Sequence, residues 1–552
     1  MSSVEEYRTK CTFCSVQDDI ILKRKSEEAA FFGKDSLFKL YYDEKSDRGL
    51  CPRGNFALEL LHSPYRLRNA ELFGENCTIE KAIEGSVTEL KRIIKKENNI
   101  AILISGNHTL EEAYLTRELS EALNTNLLGL FPFEDEALLS VKNSFSFKDL
   151  NESDMVLTVG DVFSLSPTLA KPILDARNRK RGNRLISLDI LEGRVSLFAE
   201  HSNVEPGYMS YVLSTLLDYL KGKNKLDSDE VVGNIPAEKI IDIAEGLRKA
   251  GNGQILFSNI YGHFANPLSI VRVLSEISEI TENKFAVIPI GQNSLGVGRV
   301  IGDFNNKKIM GALKEKKIEG LIILGGNPFE FIPGFEEMFD YLNFVLSTDF
   351  FKGSNESECI IPSAFSFEKR GSLISLEEKI VNLGESISPV GEAISDGGFI
   401  SSLFLKLKGS RAKAKVSIPK VLPFPDASDN KKPSSLTNKK FPFAAVGIGL
   451  PFHHHRGEVT RKVKWNENKK EPYVFINPTT VKKHSLRNKV KIETPSGSFI
   501  FKIEDCGDLP FQVPEDVIAV PVHFSGCMEL FVANSDLDGI ISPGAEKARI
   551  VK

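Results

Sequence analysis

Residues 100–105 read IAILIS, a short apolar run that ends in a small polar residue. Similar runs recur as MVLTVG at 155–160, LISLD at 185–189, GQILFS at 253–258 and LIILG at 321–325. Such runs are typical of strands that are buried on both faces of a parallel sheet. Helical patterns lie between them, and this alternation predicts doubly wound α/β layers.

The flanking segments differ from this α/β region and predict further domains. We expect a small cysteine-containing domain at 1–75, two α/β units at 76–234 and 235–407, and a basic, proline-containing linker or surface crossover at 408–440. Residues 441–552 change to short β-type runs separated by turn sequences, which is typical of a β-barrel. The predicted fold class is therefore α/β, with a small N-terminal domain and a C-terminal barrel.

The composition is that of a soluble globular protein. The 552 residues are 41% hydrophobic and 26% charged, with a net charge of −4. These values exclude disordered and collagen-like chains and give no support for nucleic-acid binding. No apolar run reaches the ~18–20 residues of a membrane span, and the N-terminus lacks the pattern of a signal peptide. We expect a cytoplasmic protein whose membrane contact, if it has any, is made through partner subunits.

A cysteine motif stands near the N-terminus. Cys11 and Cys14 form a Cys-x2-Cys pair, Asp18 follows, and Cys51 begins the sequence Cys-Pro-Arg-Gly. A close pair with a distant third cysteine suits zinc or an iron–sulfur cluster. A [4Fe–4S] cluster takes four ligands, and only three thiolates are evident here. From the spacing alone, a metal site and a set of ordinary buried cysteines both remain open.

The cysteine motif also carries a family resemblance. Residues 11–18, together with CPRGNFALELLHSPYRL at 51–67, resemble the start of the molybdopterin oxidoreductase family. That family includes formate dehydrogenases, nitrate reductases and the large iron–sulfur subunit of respiratory complex I. The resemblance implies a [4Fe–4S] cluster that is ligated by Cys11, Cys14 and Cys51.

The motif contains two further residues with counterparts in the family pattern, Asp18 and Arg53. Asp18 stands where the family has its third cysteine. Because a carboxylate is a harder iron ligand than a thiolate, the resemblance leaves three possibilities: an Asp-ligated cluster, a three-iron cluster or no cluster. Arg53 falls where the family has a basic residue between the cluster and the pterin.

The resemblance extends in order over nearly the whole chain. The other segments that carry it are ISGNHTLEEAY at 104–114, DMVLTVGD at 154–161, RGNRLISLD at 181–189, PIGQNS at 289–294, LGGNP at 324–328, IPSAFSFEKRG at 361–371, HHHRGEVTR at 453–461 and YVFINP at 473–478. They imply a molybdopterin guanine dinucleotide and a C-terminal dinucleotide-binding cap. The implied cofactor-binding residues are Arg53, Ser105, Asn107, Gly160, Asp161, Asp189, Gln292, Asn293, Gly326, Asn327, His455, Thr460 and Asn477.

The loops of these segments have chemistry that suits a nucleotide. Glycine at strand ends lets the backbone approach a ligand at the crevice of an open α/β sheet, and a following helix offers free N–H groups to a pyrophosphate. Asp189 is expected to accept a hydrogen bond from a ribose hydroxyl or a guanine edge. Glycine-rich loops and strand-end acids also occur in any doubly wound domain. The histidines at 453–455 remain open to three interpretations: metal ligands, a pterin- or phosphate-contacting loop, or a solvated loop.

Two departures from the family concern the catalytic metal. Catalytic members supply a molybdenum or tungsten ligand from the segment that matches 124–137, which contains no cysteine here. Asp135 is a candidate ligand; the alternative is that Glu134, Asp135 and Glu136 form the acidic first turn of a helix. The arginine that precedes Gly-Gln-Asn in the family is also missing, since Ile290 stands there. That change removes a cation that would steer formate.

Three functional hypotheses follow. The first is an electron-transfer oxidoreductase subunit that resembles the complex I large subunit, without its N-terminal ferredoxin-like region and without an active Mo/W centre. Its partners would be other subunits that carry further iron–sulfur or flavin centres. The second is a catalytic molybdopterin subunit of the formate dehydrogenase type. The third is a structural subunit that has lost both centres.

Overall fold

The structure is a computed structural model of the 552-residue chain. It describes all residues except 1–4, 25–36, 45–47, 95, 224–225, 228, 303–305, 329–335, 353–356, 413–415, 425–431, 451, 464–470, 506–511, 525, 532–533, 536–540, 543 and 552.

The strands alternate with helices through the middle of the chain and predominate towards its end. In order they are β1 Glu6–Lys10, β2 Asp19–Arg24, β3 Phe38–Tyr42, β4 Ala70–Leu72, β5 Glu75–Cys77, β6 Ile100–Ser105, β7 Leu128–Phe131, β8 Met155–Val159, β9 Arg184–Asp189, β10 Glu200–Asn203, β11 Val231–Val232, β12 Ile235–Pro236, β13 Gly253–Phe257, β14 Lys284–Val287, β15 Gly320–Leu324, β16 Phe344–Asp349, β17 Cys359–Pro362, β18 Ser372–Ile374, β19 Ile380–Asn382, β20 Phe443–Ile448, β21 Tyr473–Ile476, β22 Lys489–Glu493, β23 Ser498–Asp505, β24 Val517–Pro521, β25 Asn534–Ser535, β26 Ile541–Ser542 and β27 Glu546–Val551.

The α-helices of the described chain are concentrated in the α/β region. They are α1 Pro52–Asn55, α2 Glu59–His62, α3 Ile79–Ile93, α4 Leu110–Ala122, α5 Phe147–Asn151, α6 Val162–Leu165, α7 Ala170–Arg179, α8 Met209–Leu220, α9 Ala237–Lys249, α10 Pro267–Thr281, α11 Ser294–Ile301, α12 Asn306–Lys314, α13 Glu336–Phe339, α14 Asp396–Lys408 and α15 Pro478–Lys483.

The first α/β sheet has seven strands in the order β5-β4-β17-β16-β15-β6-β7. The strands from β17 to β7 run parallel, and β4 and β5 add antiparallel strands at one edge. The chain moves from β6 to β7 in one direction and from β15 to β17 in the other. The strand order therefore reverses between β6 and β15, and the crevice outside such a reversal is where open α/β sheets bind ligands.

The second sheet is parallel throughout, with five strands in the order β10-β9-β8-β13-β14. Its strand order reverses between β8 and β13. All five residues of β8 and of β13 are buried, as expected for central strands with helices on both faces. The molecule therefore has two reversal points, one in each sheet.

The two sheets are interleaved in sequence, and this arrangement differs from the predicted units at 76–234 and 235–407. The first sheet takes β4 to β7 from the earlier part of the chain and β15 to β17 from the later part, while the second sheet lies between them. The division at 234–235 falls in the β11–β12 hairpin. The pattern of a parallel strand does not say which strand lies beside it, because crossover connections allow distant segments to pair.

The predicted C-terminal barrel is confirmed. Six strands close in the order β20-β24-β21-β23-β22-β27. At the other end of the chain, β1, β2 and β3 form an antiparallel sheet. This small sheet carries the Cys11–Asp18 loop between β1 and β2.

A capping box fixes where helix α4, next to the edge of the first sheet, begins. Thr109 and Glu112 form a capping box: the Glu112 N–H donates to the Thr109 hydroxyl at 3.2 Å, and the Thr109 N–H donates to the Glu112 carboxylate at 2.8 Å. Such reciprocal bonds satisfy donors that a helix start leaves free. Helix α4 therefore starts directly after the loop that follows β6.

The basic segment at 408–440 lies against the α/β body where it is described. The Leu422 N–H donates to the Leu139 carbonyl oxygen at 3.4 Å, and the Ser140 hydroxyl donates to the Pro423 carbonyl oxygen at 3.0 Å. These contacts agree with a surface crossover. Over the described residues, no helix is both long enough and apolar enough to cross a bilayer.

Candidate functional site

A cavity of about 100 Å³ opens at the carboxyl edge of the first sheet. Ser105 and Asn107 reach it from the end of β6, and Gly326 and Asn327 reach it from the end of β15. The strand order reverses between these two strands, so the cavity lies where an open α/β sheet places a ligand. Four of the predicted cofactor-binding residues are therefore brought together here.

The barrel domain closes the cavity with charged side chains. His455, Arg456 and Glu458 line it. The Arg456 guanidinium pairs with the buried Glu134 carboxylate, and His455 Nδ1 lies 2.7 Å from Glu458 Oε1. Burial alone would raise the pKa of Glu134, but Arg456 and His455 bring it below its ordinary value. Although burial opposes a charged ring, Glu458 and Glu134 raise the pKa of His455 to about 9. His455 is therefore cationic at neutral pH.

The other two histidines of this run are neutral. His453 Nδ1 lies 3.1 Å from the Thr460 hydroxyl, and the His453 ring stacks on His523 at 4.1 Å between centroids. Burial lowers the pKa of His453 to about 4 and that of His454 to about 3. No group of three or more His, Cys, Asp or Glu side chains that could hold a metal ion occurs in the described part of the chain. The structure therefore does not support the metal-ligand interpretation of 453–455.

The carboxyl edge of the second sheet is closely packed. Gly160 has φ +84°, and a Cβ at this position would stand 2.0 Å from the Ser258 carbonyl oxygen. The Asp161 carboxylate accepts hydrogen bonds from the Ser164 and Arg194 N–H groups, at 3.1 and 3.3 Å. The ends of β8 and β13 therefore meet with no room for a side chain at Gly160.

Asp189, at the end of β9, is held by protein groups. Its carboxylate accepts from the Ile190 N–H at 2.7 Å and lies 3.1 Å from His263 Nε2. Nearby buried polar atoms have no hydrogen-bond partner among the described residues: Tyr261 OH, His263 Nδ1, Ser258 Oγ and Asn259 Nδ2. Buried polar groups are nearly always satisfied in native proteins, so these atoms fit a polar ligand at this edge.

Gln292 and Asn293 use their side chains on protein atoms. Gln292 Nε2 donates to the Cys11 carbonyl oxygen at 2.6 Å, and its Oε1 accepts from the Ser366 hydroxyl at 2.6 Å. Asn293 Nδ2 donates to the His108 carbonyl oxygen at 2.8 Å. In the structure both residues fix the loop beside the cavity.

Asp135 is occupied in the same way. Its carboxylate accepts from the Ile290 N–H at 2.8 Å, the Gly291 N–H at 2.9 Å and the Ser294 hydroxyl at 2.5 Å. It lies in the first turn of a 3-10 helix over Phe133–Leu138, which matches the predicted acidic turn. Burial raises the pKa of Asp135 to about 6. The carboxylate holds the loop at 290–294, and Asp135 is not among the residues that line the cavity.

The three N-terminal cysteines lie together as buried free thiols. Burial raises the pKa of the Cys11 thiol well above its ordinary value, and the neighbouring Cys51 and Cys14 thiols raise it further. Burial raises the pKa of Cys14 to about 11, while Arg53 acts in the opposite direction. The thiols are neighbours but do not converge as ligands of a single ion. The predicted cluster stays a prediction.

Asp18 lies beside these cysteines with both carboxylate oxygens engaged. Arg48 Nε donates to Oδ1 at 3.1 Å, and the Thr168 hydroxyl donates to Oδ2 at 2.8 Å. Burial raises the pKa of Asp18, while Arg48 and Thr168 oppose the rise. Metal-ligating carboxylates commonly accept such hydrogen bonds, so these contacts leave the proposed ligand role open.

Arg53 links the cysteine motif to two other domains. Its guanidinium donates to the His453 carbonyl oxygen at 3.2 Å and to the Leu165 carbonyl oxygen at 2.7 Å. Its Nε has no hydrogen-bond partner among the described residues, although the side chain is buried. Asn477, in contrast, caps helix α15 on the barrel, where its side chain accepts from the Thr479 N–H at 2.9 Å.

The comparisons with known proteins now identify the family. The sequence model of the molybdopterin oxidoreductase family matches residues 80–404. The chain belongs to the molybdopterin oxidoreductase family. This match covers the second sheet and the five parallel strands of the first sheet, including the two reversal points described above, while β4 and β5 lie before it.

Two known proteins are similar to this chain over nearly its whole length. The F420-dependent formate dehydrogenase subunit alpha of Methanocaldococcus jannaschii is 21% identical, over 89% of this chain and 91% of that protein. Acetylene hydratase from Pelobacter acetylenicus is 14% identical, with a TM-score of 0.74, over 99% of this chain and 100% of that one. The second likeness confirms the fold that the sequence predicts.

Sequence reasoning missed several residues of these two sites. Arg456 lies inside the quoted segment at 453–461, but its partner Glu134 is distant in sequence, and no pattern in either segment points to the other. Tyr261 and His263 follow the buried run at 253–258. The rule that polar residues after a buried parallel strand face the ligand edge would have found them.

Proposed function

We propose that this chain is an electron-transfer subunit of a multisubunit oxidoreductase, with a molybdopterin-type body that supplies no side-chain ligand to molybdenum or tungsten from residues 124–137. The observation that carries the proposal is the position of Asp135. Its carboxylate is taken up by two backbone N–H groups and one hydroxyl of the loop at 290–294. Moving it to a metal would leave those donors unsatisfied, at a cost of about 1–3 kcal/mol for each one that stays buried.

The sheet edges fit the polar part of a pterin dinucleotide. Ser105, Asn107, Gly326 and Asn327 would face it at the cavity, and the unpartnered atoms near Tyr261 would face it at the second edge. At about 100 Å³ the cavity takes only part of such a ligand, since small-molecule sites usually measure about 300–1,000 Å³. If such a cofactor is bound, these residues would hold and orient it, and any redox chemistry at this site would be supplied by the cofactor itself.

The cysteine loop fits an iron–sulfur cluster in its donor chemistry. Cys11, Cys14 and Cys51 are buried together, and Asp18 is the fourth candidate ligand. A cluster distributes its ligands over several iron atoms, so it does not require the convergence that one ion needs. Arg53 and Arg48 lie close enough to offset negative charge on thiolates and carboxylate.

The partner proposal rests on the resemblance and on one relative. The resemblance to the complex I large subunit implies partner subunits that carry further iron–sulfur or flavin centres. The Methanocaldococcus jannaschii relative is named as a subunit alpha, which supports a place in a larger assembly. We propose that this chain passes electrons between its own centres and such partners.

A catalytic subunit of the formate dehydrogenase type is the second candidate. The likeness to a formate dehydrogenase subunit along 89% of the chain favours it. The cavity also retains a cation–carboxylate group formed by Arg456, His455 and Glu134. This candidate requires that all metal ligands come from the cofactor or from solvent.

Elemental analysis of the anaerobically purified full chain separates these functions. Iron, molybdenum and tungsten are measured by mass spectrometry, and released pterin is measured by fluorescence. Iron near the stoichiometry of one cluster, without stoichiometric molybdenum or tungsten, supports the electron-transfer subunit. Stoichiometric molybdenum or tungsten with formate oxidation supports the catalytic candidate. The absence of iron, pterin and metal overturns both in favour of a structural subunit.

A further inference from the structure

Two buried glutamines connect the cysteine loop to the loop beside the cavity, and each donates to the other's segment. Gln17 Nε2 donates to the Gln292 carbonyl oxygen at 2.8 Å and to the Ile374 carbonyl oxygen at 2.8 Å. In return, Gln292 Nε2 donates to the Cys11 carbonyl oxygen at 2.6 Å. Both side chains are buried, so these amide bonds are shielded from water.

Gln17 adopts a backbone conformation that its neighbours must hold. Its φ is +54°, in the left-handed region that costs a non-glycine residue about 1–3 kcal/mol. The turn brings the Asp18 carbonyl oxygen to the Cys11 N–H at 2.8 Å and the Cys14 carbonyl oxygen to the Gln17 N–H at 3.2 Å. The two side-chain bonds of Gln17 offset the strain of a turn that sets the spacing of the cysteines.

The other half of the connection reaches the cavity. The Gln292 N–H donates to Asn107 Oδ1 at 2.8 Å, and Asn107 lines the cavity. Asp135 holds the two preceding N–H groups of the same loop. One residue, Gln292, therefore contacts the cysteine loop through its side chain and the cavity wall through its backbone.

We infer that Gln17 and Gln292 form a reciprocal clasp that positions Cys11 and Cys14 against the cavity loop. The two glutamines are positioning residues: they hold the backbone of the cysteine loop and do not themselves ligate or react. The inference rests on the proposed function only for what the thiols bind. The clasp holds the cysteine loop in place whether or not a cluster is bound.

The substitution Gln292→Glu breaks the clasp with little change of shape. The donor amide becomes a carboxylate oxygen that faces the Cys11 carbonyl oxygen, so two acceptors meet. Gln254→Glu is the matched control, because Gln254 is also buried on β13 of the second sheet and its Nε2 also donates to a protein oxygen, Asn252 Oδ1 at 3.0 Å. Both variants bury a new carboxylate, but only the first one acts on the cysteine loop.

The experiment is site-resolved labelling of native full-length protein with iodoacetamide, followed by mass spectrometry. Cys359 and Cys527 are buried elsewhere in the chain and serve as internal controls. In Gln292→Glu we expect Cys11 and Cys14 to be labelled about tenfold faster or more, since losing a buried hydrogen bond shifts local opening by about that factor. Labelling of Cys359 and Cys527 should stay at the wild-type rate, and Gln254→Glu should leave Cys11 and Cys14 unchanged.

Gln17→Gly is the second variant and separates the clasp from backbone strain. Glycine accepts φ +54° without cost, but it removes both donors. Faster labelling of Cys11 and Cys14 in this variant supports the clasp even though the strain is relieved. Wild-type labelling rates in both Gln17→Gly and Gln292→Glu overturn the inference, and so does a rise that includes Cys359 and Cys527 equally.

Iron content and electron paramagnetic resonance spectra, recorded on the same samples, keep the two proposals apart. If the wild-type protein holds no iron, the cluster of the proposed function fails, while the labelling rates still decide the clasp. If it holds a cluster, Gln292→Glu should also shift the cluster signal, and Gln254→Glu should not. If Gln292→Glu keeps both the wild-type electron paramagnetic resonance signal and the wild-type labelling rates, the clasp is contradicted and the cluster is not.

Discussion

The carboxyl edges of the two sheets carry the same kinds of residue and use them differently. At the first edge, Asn107 and Gly326 line a cavity. At the second edge, Asp161 and Asp189 bond to neighbouring protein groups, while several nearby polar atoms have no hydrogen-bond partner among the described residues. A polar residue after a parallel strand therefore marks the edge at which open α/β sheets bind ligands. Its position does not show whether its own side chain faces a cavity or bonds to protein.

Glycine shows the same contrast in its simplest form. Gly160 and Gly326 both have positive φ, at +84° and +122°. A Cβ on Gly160 would strike the Ser258 carbonyl oxygen, whereas a Cβ on Gly326 would have no described atom within 4 Å apart from those of Gly326 and its two chain neighbours. Glycine is needed at the second edge for packing between strands and at the first edge for access to the cavity.

The largest expected effect follows from this pair. Gly160→Ala should lower the free energy of unfolding by roughly 5 kcal/mol or more, because backbone strain adds to a clash with a buried carbonyl. Gly326→Ala should cost only about 1–3 kcal/mol of backbone strain. Urea unfolding followed by circular dichroism compares the two variants. Equal losses in both would remove the distinction between a packed edge and an open one.

The next effect concerns the charged wall of the cavity. Arg456→Met leaves Glu134 buried without its guanidinium partner and should cost about 3–5 kcal/mol. The double variant Glu134→Gln with Arg456→Met should recover much of that loss, since it leaves no unpaired charge. Chemical denaturation of the single and double variants measures this coupling. A single variant as stable as the wild type would mean that the pair does not form.

A pH dependence follows from Asp135. Its folded pKa is about 6, against an ordinary value of 3.8, so the folded state favours its protonated form. The stability that this gives is fully present below pH 4 and is lost as pH rises through 6, by on the order of 2–3 kcal/mol. Asp135→Asn should lack this step, and the difference between the two unfolding curves isolates it. Parallel curves from pH 4 to pH 7 would contradict the assignment.

The smallest effect is expected at the second edge. Tyr261→Phe removes a buried hydroxyl that has no hydrogen-bond partner in the described structure, so the isolated chain should change in stability by less than about 1 kcal/mol. If a polar ligand uses this edge, the variant should instead retain less pterin than the wild type after purification. On the same sample, thermal unfolding measures the stability of the chain and fluorescence measures the amount of retained pterin. A large loss of stability without ligand would show that the hydroxyl has a protein partner.

The sequence predicts the α/β class, the barrel and the first edge because these depend on local patterns. Short buried runs that end in small residues place Ser105 and Gly326 at strand ends, and parallel strands bring such ends together. The order of strands is not local. The interleaving of the two sheets could not be predicted, because an apolar run carries no information about its neighbour.

The roles of individual side chains were harder to predict than their location. Gln292 and Asn293 lie on the loop beside the cavity, but their side-chain amides bond to protein atoms. Asp135 lies in the predicted acidic turn, but its three donors come from a loop that is distant in sequence. Hydrogen bonds between distant loops leave no trace in residue spacing, so only the fold reveals them.

The most direct test of the account is the metal content of Asp135→Asn beside that of the wild type. Both proteins are purified anaerobically, and molybdenum, tungsten and pterin per chain are measured together. We predict that neither protein holds stoichiometric molybdenum or tungsten, because Asp135 holds the loop at 290–294 and does not ligate a metal. A variant that keeps its pterin but loses molybdenum or tungsten would make Asp135 a metal ligand and contradict the account.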